Sequence, residues 1–167
     1  RQEWASKMKT YNIAFLGAPS VGKTSAIKAL KGVWYASAPY VATMGIEVHP
    51  MSLTVKGEKV TVNLWDISGK HPGRPEGIWR EQTIHATCLF FDSTSPPTLH
   101  SALYGWTSFA QGPCWFVAAK IDCPTYKPSL IEFAFLRTNQ EPFKITAKNP
   151  SGIEEMLSKV MLTLVPT

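Results

Sequence analysis

Residues 17–24 read Gly-Ala-Pro-Ser-Val-Gly-Lys-Thr, a complete G-x-x-x-x-G-K-T, and no other feature constrains the fold as tightly. The run follows an apolar stretch, YNIAFL at residues 11–16, and precedes one in which Ile27 and Leu30 recur at helical spacing before Gly32. Strand, glycine-rich turn and helix together form the setting in which such a run binds phosphate. The chemistry is anion capture: successive backbone N–H groups and a helix N-terminus converge on one place, and the glycines admit close approach. In that role Gly17, Ala18, Pro19, Ser20, Val21 and Gly22 form the cradle, and Lys23 reaches the outer phosphates. Thr24, followed by Ser25, offers its hydroxyl to Mg2+.

The rest of the chain alternates between strand-like and helix-like periods. Residues 52–55 and 60–65 read as two strands of a hairpin about Lys56-Gly57-Glu58-Lys59. Residues 86–91 and 114–119 are further buried-strand runs, and residues 143–146 a last short one. Between them Leu99, Leu103, Trp106 and Phe109 mark a helix that stops near Gly112-Pro113. At the C-terminal end Ser151 and Glu154 match a capping box, with Ile153, Met156, Leu157, Val160, Met161 and Leu164 on one helical face.

These elements predict a single α/β domain over residues 11–167, preceded by a flexible lead over residues 1–10. The sheet is expected to have six mostly parallel strands, one of them antiparallel, with about five helices covering both faces. Residues 68–80, rich in Gly and Pro, read as a mobile loop.

Composition supports one soluble domain. The chain has 167 residues, 44% of them hydrophobic, enough for an unaided core, and no apolar run approaches the ~20 residues of a membrane span. Three cysteines leave one unpaired and predict a reducing compartment. The net charge of +5 is scattered, with no signature of nucleic-acid binding. His49, His71, His85 and His100 lack the spacing of a zinc site. Trp79, in the loop, is a candidate partner anchor.

Two further motifs suit a nucleotide. Asp66, in Trp65-Asp66-Ile67-Ser68-Gly69, ends a strand where a carboxylate can join a Mg2+ shell, and Gly69 offers an N–H to a terminal phosphate. Ala119-Lys120-Ile121-Asp122 and Thr146-Ala147-Lys148 follow two later strands, at the sheet end where ligands bind. Asp122 suits the paired N–H groups of guanine, and the Lys120 stem can lie over a base.

The succession GAPSVGKT, Thr43, WDISG, AKID and TAK resembles the Ras superfamily of small GTPases, over residues 11–164. Within it, residues 40–50 (YVATMGIEVHP) are similar to the first switch segment of the Ran branch, the nuclear-transport GTPases. The resemblance implies a GTP/GDP switch with Mg2+ held by Thr24, Thr43 and Asp66. It further implies that Tyr40 and Thr43 close over the nucleotide, and that Ala147 contacts the guanine carbonyl. It implies importin-type receptors, an exchange factor and an activating protein as partners, in nucleus and cytoplasm, with no lipid anchor.

The departures bear on catalysis, in which Lys23, Thr43, Gly69 and Lys70 are the expected participants. Lys70 stands where the family has a glutamine that orients water, and a lysine carries no acceptor. Pro19 adds bulk and removes an N–H from the cradle. Ala119 replaces an asparagine that braces base and phosphate loop, and Arg137 is the remnant of a basic stretch. Hydrolysis is therefore expected to be slow. The alternative expectation is a degenerate GTPase that works as a binding module; a generic ATPase is disfavoured by Asp122 and Thr146-Ala147-Lys148.

Overall fold

β1 (Thr10–Leu16) lies at the centre of the sheet because its side chains find apolar cover on both sides. Ile13 and Phe15 enter one core with α1 (Lys23–Leu30) and α4 (Pro150–Leu164), while Ala14 and Leu16 enter a second with α2 (Pro96–Tyr104) and α3 (Pro128–Thr138). A strand buried on both faces reads as a continuous apolar run, which is why residues 11–16 announced themselves. The computed structural model describes residues 8–43, 45–70 and 82–166.

The remaining strands are β2 (Tyr35–Ala36), β3 (Tyr40–Thr43), β4 (Ile46–Val55), β5 (Glu58–Ile67), β6 (Ala86–Asp92), β7 (Cys114–Ala119) and β8 (Phe143–Lys144). They form one sheet in the order β2-β4-β5-β1-β6-β7-β8, with β3 also paired to β4. β1 runs parallel to β5 and β6, β6 to β7, and β7 to β8. β4 runs antiparallel to β5, β2 and β3. The α/β class and the antiparallel hairpin are as expected. Among the described residues the sheet has eight strands rather than six, because β2 and β3 are too short and exposed to carry a period.

The hairpin turn is tighter than the four residues suggested by sequence. Only Lys56 and Gly57 lie outside the strands, both at positive φ (53° and 77°), the geometry of a type I′ turn. Lys56 Nζ reaches across to the Val165 carbonyl at 2.6 Å, closing the end of α4.

Four α-helices and a 3-10 turn, Trp106–Phe109, lie among the described residues. The helix expected across Leu99 and Phe109 breaks at Gly105, where α2 stops and the tighter turn begins. The capping box does not form. Asn149 is the N-cap and Pro150 the first helical residue, so Ser151 lies inside α4 and its hydroxyl donates to Asn149 Oδ1 at 2.7 Å. Proline favours that first position because its fixed φ suits the helix and its missing N–H costs nothing there. Glu154 is left to accept the Trp34 indole N–H at 2.8 Å. α3 was not anticipated at all.

Of the expected lead, residues 1–7 lie outside the described residues, and Thr10 already opens β1. His71, Trp79 and most of the expected mobile loop fall in residues 71–81, also outside them. No helix among the described residues is long and apolar enough to cross a membrane.

Candidate functional site

After Leu16 the chain must turn sharply to start α1. Gly22 is the N-cap, at φ 110°, and α1 has no side-chain cap and no acidic residue in its first turn. Glycine adopts this left-handed conformation without steric penalty. The first N–H groups of α1 therefore face an anion site with the positive end of the helix behind it. Lys23 folds back over the loop: Nζ donates to the Gly17 and Ala18 carbonyls, each at 2.8 Å. Burial pushes its ammonium down to about 8, against the opposing charge of Asp66.

Thr24 and Asp66 meet, as the metal-site expectation requires. The Thr24 hydroxyl donates to Asp66 Oδ2 at 2.6 Å. Asp66 sits near the end of β5, opposite Glu47 of β4. Beyond it Ser68 Oγ accepts the Lys70 N–H at 3.1 Å. Gly69 lies against the cradle: a Cβ there would stand 2.3 Å from the Pro19 nitrogen and 2.5 Å from the Ala18 carbonyl carbon. Only glycine permits that approach.

Residues 19–25, Val41, the start of β4, Asp66, residues 68–70 and Lys120 border one open cleft of about 700 Å³. That volume suits a ligand of nucleotide size. Tyr40 and Thr43 do not line it. Both stand exposed in β3, and Thr43 pairs with Ile46 of β4, so the third expected metal ligand is not brought to the other two.

Lys120 adopts φ 63° and lines the cleft. Its Nζ donates to the Ser20 carbonyl at 2.7 Å and pairs with Asp92 Oδ2 at 3.0 Å. One side chain thus ties the loop after β7 to the phosphate cradle. Asp92 was missed from sequence, although its place at the end of β6 was a signal. Burial works to raise its carboxyl, but hydrogen bonds from the Thr94 hydroxyl and amide and from Lys120 hold it below the usual carboxylate range. Ala119 packs its methyl under the loop, 3.2 Å from where a Cβ on Gly22 would be.

Asp122, Thr146, Ala147 and Lys148 do not line the cleft. Three of them are brought to one another: Asp122 pairs with Lys148 at 3.2 Å, and a hydrogen bond from Thr146, then one from Lys148, holds its carboxyl below the ordinary value. The Ile121 N–H donates to the Ile145 carbonyl at 3.3 Å, joining the two loops.

Glu47 and His49 were not singled out as site residues. They share a face of β4, with His49 buried behind the cleft at 3% exposure. Its Nε2 is 2.8 Å from Glu47 Oε1 without the alignment of a hydrogen bond, and Nδ1 has no partner among the described residues. Burial, then the charge of Lys31, push its pKa down, outweighing Glu47 and Asp66.

The family model described as Roc, the Ras of Complex domain of DAPkinase, matches residues 12–122, well over half the chain. The chain belongs to the Roc family. The Roc domain here is also similar to curated Ras-related proteins. It is 27% identical over 105 residues to Rab-26 of Bos taurus, which covers 60% of this chain and 41% of that protein. It is 29% identical over 105 residues to Rab-26 of Rattus norvegicus, covering 60% and 40%. This chain therefore spans about two fifths of the length of these relatives. The match supports a Ras-like GTPase domain, and the relatives bear the Rab name rather than that of Ran.

Proposed function

We propose that this Roc domain is a Ran-like guanine-nucleotide switch. It holds GTP or GDP with Mg2+, hydrolyses GTP slowly, and passes its state to partners through residues 40–50. The observation that carries the nucleotide part is a convergence. Lys23, Thr24, Asp66, Gly69 and Lys120, from three separate stretches of chain, border one cleft at the open start of α1.

In this reading the α1 N–H groups and Lys23 bind the phosphates, and Asp122 selects guanine. Thr24 and Asp66 would hold Mg2+, which when bound neutralises phosphate charge. Thr43 leaves β3 to join them when a third phosphate is present, an order change of the kind that carries signals in such loops. The Ran-like part rests on residues 40–50, and the Rab-26 relatives offer a Rab-type alternative within the same superfamily. Importin-type receptors, an exchange factor, an activating protein and a nuclear and cytoplasmic location belong to the Ran-like part.

A second reading is a degenerate GTPase acting as a binding module. Lys70 at the cleft and the closure of Gly69 onto Pro19 favour it. The test is displacement of a fluorescent guanine nucleotide from the purified chain. GTP and GDP are expected to displace it and ATP to fail; equal competition by ATP sinks the guanine assignment. A pull-down of a transport receptor then tests the Ran-like part. Equal recovery with GDP and with a GTP analogue sinks that part and leaves the nucleotide site standing.

A further inference from the structure

Among the described residues three lysines border the cleft, and two of them are committed within the fold. Lys23 Nζ donates to the Gly17 and Ala18 carbonyls, and Lys120 Nζ to the Ser20 carbonyl and to Asp92. The third is Lys70. Its ammonium has no hydrogen-bond or ion-pair partner among the described residues. The carboxylates at the cleft are engaged elsewhere: Asp66 accepts the Thr24 hydroxyl, and Glu47 Oε1 stands 2.8 Å from His49 Nε2. An ammonium is a compact, strongly hydrated charge, and one left unpaired beside an anion cradle raises the local concentration of anions there.

The backbone that carries Lys70 is held in two ways. Gly69 closes against Ala18 and Pro19 with no room for a Cβ, and the Lys70 N–H donates to Ser68 Oγ at 3.1 Å. The side chain therefore starts from a fixed point at the front of the cradle. Pro19 has no N–H to offer, so the cradle is one donor short just where Gly69 meets it.

We infer that Lys70 is a specificity residue that distinguishes a nucleoside triphosphate from a diphosphate, its ammonium pairing with the terminal phosphate. This rests on the guanine-nucleotide reading of the cleft. A diphosphate is met by the α1 N–H groups and Lys23 and does not need Lys70. A third phosphate extends the negative charge towards Gly69 and the ammonium beside it. The contact is made in the bound ground state, and an interaction equal in ground and transition states holds a substrate without speeding its reaction. Lys70 thus favours the triphosphate form twice over, by binding it and by not helping to hydrolyse it.

Titration calorimetry with Mg2+ tests it, using GDP and a non-hydrolysable imido analogue of GTP. The wild type is expected to bind the analogue roughly tenfold or more tighter than GDP, the scale of one charge-assisted hydrogen bond. Lys70→Met is expected to bring the two affinities together, and Lys70→Arg to preserve the preference. Lys70 is exposed, so neither replacement touches a core, and the melting temperature of each variant checks that it is folded. A preference that survives Lys70→Met overturns the proposal, as does a wild type that binds GDP and the analogue equally; both leave the nucleotide site standing. Equal loss of affinity for the two nucleotides in Lys70→Met also overturns it and gives Lys70 a general electrostatic role. A wild type that binds neither nucleotide overturns the guanine-nucleotide reading, and this proposal with it.

Discussion

Gly69 approaches Pro19 so closely that a single added methyl group would stand 2.3 Å from the Pro19 nitrogen. The turn after Asp66 and the front of the phosphate cradle are therefore one packed unit. Gly69→Ala forces the two apart, an overpacking cost of about 1–3 kcal/mol. The expected melting-temperature loss is about 2–4 °C per kcal/mol for a domain of this size. Calorimetry checks this; an unchanged melting temperature would show that the contact does not bear on stability.

Lys70 borders the cleft beside that contact. It cannot accept a hydrogen bond from an attacking water. Single-turnover hydrolysis is expected below the intrinsic Ras rate, on the order of 10⁻⁴ s⁻¹. Lys70→Gln is expected to raise it roughly tenfold or more. No gain would place the defect elsewhere, with Pro19 the next residue to change.

Lys23 gives the nucleotide site a pH dependence. Burial sets its ammonium at about 8, and a bound phosphate anion raises that value. Binding then takes up a proton, and affinity falls as pH rises through about 8. Titration calorimetry in buffers of different ionisation heat should detect the uptake, and Lys23→Met should abolish it. Binding that is independent of pH across this window would exclude the lysine from phosphate contact.

His49 predicts an acid-side loss of stability. Its pKa is lowered in the fold from the ordinary 6.5, so below that value the unfolded chain takes a proton the folded chain resists. Stability from this residue is full above 6.5 and declines as pH falls. Urea midpoints for wild type and His49→Leu should diverge between about pH 7.5 and about pH 5.5, with the variant the less sensitive. Parallel curves would mean that Glu47 compensates the buried ring after all.

On the proposed reading, Ala119 leaves a brace between base and phosphate loop missing. Ala119→Asn is expected to tighten GDP binding about tenfold, the ~1–2 kcal/mol of one buried hydrogen bond. The methyl of Ala119 already packs close under Gly22, so unchanged or weakened binding would show that the loop has no room for the amide.

How far the sequence speaks depends on whether the relevant physics is local. The cradle, the strand before it and the helix after it were legible because residues 11–30 carry their own period and punctuation. α3 was not, because Phe133, Phe135 and Leu136 are apolar yet exposed and blur the amphipathic pattern. Its boundaries were readable all the same, in Pro128 at its start and Asn139, at φ 57°, at its end. The Ser151 capping box failed because Pro150 claimed the first helical position. Glu47 was invisible as a site residue because what recruits it is pairing across the sheet, opposite Asp66, whereas Asp92 carried only the signal of a strand end and joins the site through Lys120.

β3 has a consequence for evolution as well as for mechanism. Its four residues are all exposed and, among the described residues, its ladder runs to β4 alone. An edge segment that contributes nothing to either core can be rewritten without threatening the fold. On the proposed reading its sequence is free to track a partner or the readiness with which Thr43 detaches, while selection for stability acts on β1 and β4–β7. Variation at Tyr40 and Val41 would then tune the proposed signal at almost no thermodynamic cost to the domain.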